Sequence, residues 1–145
     1  MNISCANICS SSGIDIPWVS EIRYLGIYIL QSRIFKCSLS ANRRAFYCSA
    51  NAIFGKVGRV ASEDVVLQLV NKKCIPSLLY GLEACPLVKS ELSSLDFVVN
   101  RFFMKMFRTN NMDIVRHMQF LFGFKLPSVL WSNRVRIWYL NMPPA

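Results

Sequence analysis

The sequence is poor in the residues that catalysis usually requires: it has one histidine, eight acidic residues and no adjacent aspartates. His117 lies in an apolar helical pattern, where we expect a surface or partly packed role rather than a Ser-His-Asp or Cys-His unit. A two-metal site needs clustered carboxylates, and the one adjacent acidic pair, Glu63-Asp64, sits where it would complement a helix dipole. The six glycines form no phosphate-binding loop. We therefore expect no catalytic residue.

The six cysteines do not have the spacing of a zinc site. Cys5 and Cys9 are close, but the next cysteines are Cys37 and Cys48, so no second close pair completes a set of four ligands. The single histidine excludes a two-Cys, two-His finger. We expect no bound metal, and we expect the cysteines to be buried small hydrophobes or free thiols rather than a disulfide framework.

Long apolar runs are also missing, and a bilayer-spanning helix requires about 18 consecutive apolar residues. The apolar stretches 25–30, 65–70 and 102–107 are short and are interrupted or flanked by charges. Residues 1–20 lack the basic start and the continuous apolar segment of a secretory signal. We expect no transmembrane segment and an intracellular protein, in the nucleus or the cytoplasm.

Positive charge is present in excess: the formal net charge is +9 and the isoelectric point is about 9.6. Most of the basic residues fall in segments 33–73 and 101–136, which contain few acids. A field of one sign favours a polyanion, most commonly nucleic acid, although solubility alone is the alternative. Apolar residues make up 53% of the chain and charged residues only 17%, against the usual ~25%, so part of the apolar surface is expected to meet a partner.

Periodicity predicts a mainly α fold, close to α+β, with a short N-terminal β-hairpin. Residues 1–15 carry no helical or strand period, and residues 1–21 are interpreted as a loose leader. Residues 22–30 are dense in β-branched and aromatic side chains, which predicts a strand with a bulge or close approach at Gly26. We assign residues 22–36 to the hairpin and residues 37–145 to a helical region.

Within the helical region we expect helices at about 41–55, 62–74, from residue 90 onward, 112–122 and 128–142, with Pro76 ending the second of them. The first helix is expected to bury Phe46, Ala50, Ile53 and Val57. The helix from residue 90 is expected to bury a stripe formed by Leu92, Leu95, Val99, Phe102 and Met106. Another face of that helix carries Arg101, Lys105 and Arg108.

Two motifs give the sequence a family resemblance. The first is Arg23-Tyr24-Leu25-Gly26-Ile27, and the second, further along, is Cys74-Ile75-Pro76-Ser77-Leu78-Leu79-Tyr80-Gly81-Leu82-Glu83. In this order and spacing, around a basic helix with Arg43 and Arg44, they resemble the region after the catalytic palm in LINE-type (non-LTR retrotransposon) reverse transcriptases. The resemblance covers residues 22–140. It departs at Cys85, where relatives commonly have an aromatic residue, usually Trp.

The resemblance implies a thumb region of an RNA-directed DNA polymerase that lacks the catalytic carboxylates. Tyr24, Leu25 and Gly26 would form a primer-grip-like turn, and four residues would be structural parts of the thumb: Pro76, Tyr80, Gly81 and Glu83. The family's Ala-Asp-Asp segment and its Mg²⁺ would belong to a palm upstream of residue 1, so this fragment is expected to be inactive alone and to need no cofactor. The implied partners are that palm and RNA or an RNA–DNA hybrid.

Charge and helical position nominate five residues for sequence-independent phosphate contacts: Arg43, Arg44, Arg101, Lys105 and Arg108. For each of them a solvated helix face is the alternative. Two other functions stay open. One is an unrelated basic helical RNA- or DNA-binding module, which would not depend on residues 24–26. The other is a helical membrane-surface or protein-interaction domain.

Overall fold

Helices dominate the fold, as the sequence predicts, and short antiparallel strand pairs precede them. The computed structural model describes residues 6–58 and 60–141. The strands are β1 (Ile8–Cys9), β2 (Asp15–Ile16), β3 (Glu21–Tyr24) and β4 (Ile27–Leu30). The helices are α1 (Ser40–Val57), α2 (Glu63–Leu69), α3 (Ile75–Leu78), α4 (Lys89–Phe107), α5 (Met112–Leu121) and α6 (Pro127–Leu140). A π-helical turn (Val70–Cys74) joins α2 to α3, and a 3₁₀ turn (Leu82–Ala84) follows α3.

The segment predicted to be a loose leader contains a small strand pair. β1 and β2 are antiparallel, with Ile8 opposite Ile16, and their side chains are exposed. Gly13 reverses the chain between them with a φ of 78°. Strands of two residues are too short to produce a sequence period, which is why the alternation of residues did not reveal them. Residues 1–5 of the leader lie outside the described residues.

β3 and β4 form the predicted N-terminal hairpin, but its turn lies inside the segment that looked like a single strand. Tyr24 pairs with Ile27, which leaves Leu25 and Gly26 as a two-residue turn. Both turn residues have positive φ, 46° and 88°, as a type I′ turn requires. Of the two possibilities expected at Gly26, a bulge or a close approach, the bulge is wrong because Gly26 lies in the chain reversal. The close approach is present, since a Cβ at Gly26 would be 3.3 Å from Tyr80 Cε1. The hairpin also ends with β4, short of residue 36.

The hydrophobic core lies between α1, the α2–α3 segment and α4. α1 buries Phe46 and Ala50 fully and packs Ile53 and Val57 partly against the core, as predicted. The buried residues of α4 are Leu95, Val98, Val99, Phe102 and Phe103. Two residues of the predicted α4 stripe are only partly buried, Leu92 and Met106. The Phe46 and Phe102 rings meet edge to face at 6.4 Å, which joins α1 to α4.

The prediction that Pro76 ends the second helix is wrong. In the π-helical turn the N–H of Ile75 donates to the carbonyl of Val70, five residues earlier. Pro76 follows at the start of α3, where a helix does not need its missing N–H. The π-helical turn therefore allows the helical conformation to continue past Pro76 to the end of α3.

Side-chain hydrogen bonds fix the last two helices on α4. Gln119 of α5 donates its Nε2 to Asn100 Oδ1 at 2.8 Å, and the N–H of Ser128 in α6 donates to Asp96 Oδ1 at 2.9 Å. α6 begins at Pro127, one residue before the predicted start. The predicted end of this helix at Met142 lies outside the described residues.

The expectation that the cysteines are reduced thiols is wrong for one pair: Cys37 and Cys85, separated by 48 residues, form a disulfide. Cys37 makes an antiparallel bridge to Ile29 of β4. The chain thus folds back beside the hairpin before α1 begins. Sequence spacing contains no sign of such a long-range meeting. The remaining described cysteines are free, and they are Cys9 and Cys48, which are exposed, and Cys74, which is buried.

Large apolar side chains are exposed on the hairpin and along α6. Leu25 is 73% exposed and Tyr24 60%, while Leu140 at the end of α6 is 77% exposed. In the part of the chain that the structure describes, no helix has the length and apolar character needed to cross a membrane.

Candidate functional site

The two motifs that carry the family resemblance touch each other. Gly26 lies against the ring of Tyr80, since a Cβ at position 26 would be 3.3 Å from Tyr80 Cε1. Gly81 lies against β4, since a Cβ there would be 2.6 Å from Ile27 Cγ2. Gly81 also has a φ of 71°, so both space and backbone conformation favour glycine. The hairpin therefore rests on the end of α3 through two glycine contacts.

The other two motif residues organise the helices around this contact. Pro76 begins α3. Glu83 Oε1 accepts a hydrogen bond from Arg134 Nη1 at 3.0 Å, and both side chains are partly buried. One residue earlier, the carbonyl of Leu82 accepts from Trp131 Nε1 at 2.8 Å. Both contacts attach α6 to the turn that follows α3.

The hairpin has two chemically different faces. Side chains alternate along a strand, so the cross-strand pair Arg23–Tyr28 lies on one face and the pair Tyr24–Ile27 on the other. The Arg23 guanidinium carbon lies 5.9 Å from the centroid of the Tyr28 ring, within the range of a cation–π contact. One face is therefore cationic and aromatic, and the other is apolar.

The cationic face borders a cleft between the hairpin and α1, which we call the hairpin cleft. Its volume is about 690 Å³. The residues that give it its chemistry are Arg23 and Tyr28 from the hairpin, Arg44 and Cys48 from α1, and Tyr80 after α3. Two guanidinium groups and two phenol rings thus share one opening, and no acidic side chain lines it among the described residues.

Asn42 supports one wall of the hairpin cleft from beneath. It is only 7% exposed, and its Nδ2 donates to the carbonyl of Leu78 at 3.1 Å and to that of Tyr80 at 3.2 Å. Both amide hydrogens are therefore used to fix the backbone at the end of α3. Because Gly26 contacts the Tyr80 ring from the other side, this aromatic side chain is held at both its backbone and its ring.

The five basic residues nominated from the sequence do not all line one pocket. Arg44 lines the hairpin cleft, whereas the Nη1 of its neighbour Arg43 donates to Ser94 Oγ of α4 at 2.8 Å. Adjacent helical residues point about 100° apart, which explains the separation. Arg108 follows α4 with a φ of 50° and borders a further pocket beside Glu63.

Arg101 and Lys105 line a second basic pocket, between α1 and α4, with a volume of about 550 Å³. Lys105 Nζ donates to Asn51 Oδ1 of α1 at 2.9 Å and lies 5.7 Å from the centroid of the Phe54 ring. The Arg101 guanidinium lies over the ring of Phe97 at 5.8 Å. We call this the α1–α4 pocket.

No family model, curated protein or solved structure matched this chain. The site is therefore interpreted from its own chemistry. Among residues 6–58 and 60–141, no three His, Cys, Asp or Glu side chains are grouped so that they could hold a metal ion. What the hairpin cleft offers is positive charge next to exposed aromatic surface.

Sequence reasoning nominated four residues that line the cleft, Gly26, Arg44, Pro76 and Tyr80, but missed Arg23, Tyr28 and Cys48. The residue pattern predicts a single strand over residues 22–30, and in a single strand Arg23 and Tyr28 would lie on opposite faces. With the turn at Leu25 and Gly26, they become cross-strand partners. The signal for this pairing is the turn that the family resemblance predicts at Tyr24, Leu25 and Gly26.

The apolar face of the hairpin borders a groove on the opposite side, which we call the apolar groove. Its volume is about 700 Å³, and its walls include Tyr24 and Leu25 from the hairpin, together with Phe35 and Gly81. The Arg134 side chain that pairs with Glu83 also contributes to it. Tyr24 and Leu25 therefore lie outside the hairpin cleft, although Gly26 lines it.

Replacing Leu25 should stabilise the protein. A branched apolar residue at a φ of 46° is strained by about 1–2 kcal/mol, whereas Asn tolerates this region of backbone space. We expect Leu25→Asn to raise the free energy of unfolding by about 1 kcal/mol and the midpoint of thermal unfolding by about 3 °C. Leu25→Ala is the matched control, because it removes the apolar side chain but keeps the strain. Equal effects of the two substitutions would show that backbone strain is not the cause.

Proposed function

We propose that this chain is a nucleic-acid-gripping region like the thumb of LINE-type reverse transcriptases, and that it binds RNA or an RNA–DNA hybrid without supplying catalytic carboxylates. The observation that supports this most is the contact between the two motifs, Gly26 with Tyr80 and Gly81 with Ile27. Segments that the resemblance names as grip and thumb are therefore neighbours in space, although they are far apart in the sequence.

The charges around this contact favour a phosphate backbone as the ligand. Arg23 and Arg44 line the hairpin cleft, and Arg101 and Lys105 line the α1–α4 pocket. α1 contributes to both, which brings the two basic sites onto neighbouring sides of one helix. Guanidinium and ammonium groups bind phosphate oxygens without reading the sequence, so this set would position a strand rather than select it.

The apolar groove is, in this proposal, the surface that meets the polymerase palm. Tyr24 and Leu25 expose 60% and 73% of their surface there, and exposed apolar side chains grouped beside a groove are typical of protein contacts. The grip turn would thereby touch nucleic acid on one side and the palm on the other. Mg²⁺ and the catalytic carboxylates would belong to the palm.

The proposal predicts salt-dependent binding of RNA. If about four basic side chains contact phosphates, the affinity for a single strand should fall about 50-fold between about 50 and 200 mM salt, because bound counterions are released. The measurement is fluorescence anisotropy of a labelled oligoribonucleotide titrated with the protein at several salt concentrations. Vesicles of anionic phospholipid serve as the competing polyanion.

Two outcomes would contradict the proposal. An affinity for RNA that does not change with salt would exclude phosphate contacts as its source. Binding to the vesicles with no detectable binding to RNA would favour a membrane-surface domain, in which basic and aromatic side chains meet lipid.

A further inference from the structure

We propose that the hairpin cleft binds an unpaired stretch of nucleic acid in preference to a fully paired duplex. This inference rests on the proposed function and names the ligand of the same site. It begins from the aromatic surface of the cleft: Tyr28 lines it from β4, and Tyr80, which is 56% exposed, lines it from the end of α3. Phosphate contacts alone would not require either ring.

Stacking decides which form of nucleic acid these rings can hold. A phenol ring stacks on the face of a base, and inside a duplex both faces of each base are covered by the neighbouring pairs. Bases of a single strand or of an unpaired end can turn outward and stack on aromatic side chains, and also on arginine guanidinium planes. Arg23, which lies over the Tyr28 ring, extends that stacking surface.

The size of the cleft also favours an unpaired strand over a duplex. A volume of about 690 Å³ lies in the range of pockets that enclose small molecules, about 300–1,000 Å³, so it can take up one or two nucleotides. One turn of duplex DNA is about 34 Å long, so a duplex would meet only the rim of such a cleft. A flexible strand can therefore enter this open cleft, whereas paired bases cannot.

The Tyr80 wall is also fixed before any ligand arrives. Asn42 holds the backbone carbonyl of Tyr80 at 3.2 Å, and Gly26 packs against its ring. A ring that is already positioned loses little conformational freedom when a base stacks on it. Asn42 is thus a positioning residue for the stacking surface.

The test compares the affinities of the protein, residues 1–145, for two forms of one nucleic-acid strand. A labelled oligouridine of about ten nucleotides is measured alone and annealed to its complement with blunt ends, at one salt concentration. We expect the single strand to bind about tenfold more tightly than the duplex. Tyr28→Ala and Tyr80→Ala should each lower the single-strand affinity about tenfold and lower the duplex affinity much less, because stacking is lost and phosphate contacts remain.

Matched variants separate stacking from other effects. Tyr28→Phe keeps the ring and should bind the single strand like the unchanged protein, and Tyr139→Ala removes a tyrosine of α6 that does not line the cleft. The strand preference of the unchanged protein decides the question even if an alanine variant fails to fold. Equal or tighter binding of the duplex would overturn this inference and leave the proposed function standing, whereas no binding of either form would overturn both.

Discussion

Removing both guanidinium groups of the hairpin cleft, with Arg23→Gln and Arg44→Gln together, is expected to lower the affinity for RNA about 100-fold at low salt. Under the proposed function, each substitution deletes a charge-assisted contact to phosphate, in a cleft that no acidic side chain of the described residues lines. The slope of log affinity against log salt should also become shallower by about 1.4, about 0.7 for each lost phosphate contact on a single strand. Anisotropy titrations over a range of salt concentrations measure both quantities.

Arg136→Gln is the matched control for this double variant. It removes an exposed arginine of α6 that lines neither the hairpin cleft nor the α1–α4 pocket, so only the net charge of the protein changes. A loss of affinity in this control that approached half of the loss in the double variant would mean that binding follows total charge. The hairpin cleft would then have no special part in it.

Gly81→Ala is expected to be the most destabilising small substitution in the motif. The left-handed backbone at a φ of 71° costs an alanine about 1–2 kcal/mol, and the added Cβ would lie 2.6 Å from Ile27 Cγ2. The methyl of a β-branched side chain cannot move far without leaving its preferred rotamer. We expect a total loss of about 2–4 kcal/mol and a fall of about 10 °C in the thermal midpoint, followed by circular dichroism.

Gly123→Ala measures separately the free-energy cost of placing an alanine at a positive φ, without a side-chain clash. Gly123 also has a positive φ, 58°, but no atom of the described residues outside its own neighbours lies within 4 Å of where its Cβ would be. It should lose only about 1 kcal/mol. In the Gly81→Ala background, Ile27→Ala should be less costly than in the unchanged protein because it removes the clash. Additive effects of the two substitutions would show that Gly81 and Ile27 are not in contact.

The fold was predictable from the sequence where long periodic segments determine it. Phe46 and Ala50 of α1, and Leu95 and Phe102 of α4, repeat at helical spacing and are buried as expected. Such a pattern depends only on which face of one helix meets the core, so the sequence of that helix alone contains it.

The errors occurred where local rules compete with more distant structure. Pro76 is ordinarily a helix breaker, but a π-helical turn ahead of it removes the need for its N–H. Leu25 is a poor residue for a type I′ turn, so residue preferences alone do not predict a turn at Leu25 and Gly26, and only the family resemblance does. The Cys37–Cys85 disulfide depends on the path of the whole chain between its two residues.

The candidate site was predictable only in part for the same reason. Arg44 and Tyr80 could be nominated from charge and motif. Which other side chains join them depends on how the hairpin packs on α3, and that packing is set by the contacts of Gly26 and Gly81. Sequence position likewise grouped Arg43 with Arg44, although Arg43 is directed to Ser94.

The free cysteines provide the most direct test of whether nucleic acid occupies the hairpin cleft. Cys48 is exposed and lines the cleft, while Cys9 is exposed in β1 and does not. Cys74 is expected to react slowly, because burial raises the pKa of its thiol even though a hydrogen bond with Ser49 lowers it. Each alkylated site can be followed separately by mass spectrometry of peptides.

The measurement is the rate at which N-ethylmaleimide modifies Cys48 and Cys9, with and without an oligoribonucleotide at about ten times its dissociation constant. At that concentration about one-tenth of the clefts remain free, so Cys48 should react about tenfold more slowly while the rate at Cys9 stays the same. An unchanged rate at Cys48 under conditions where anisotropy shows the RNA to be bound would contradict the assignment of the hairpin cleft as the nucleic-acid site.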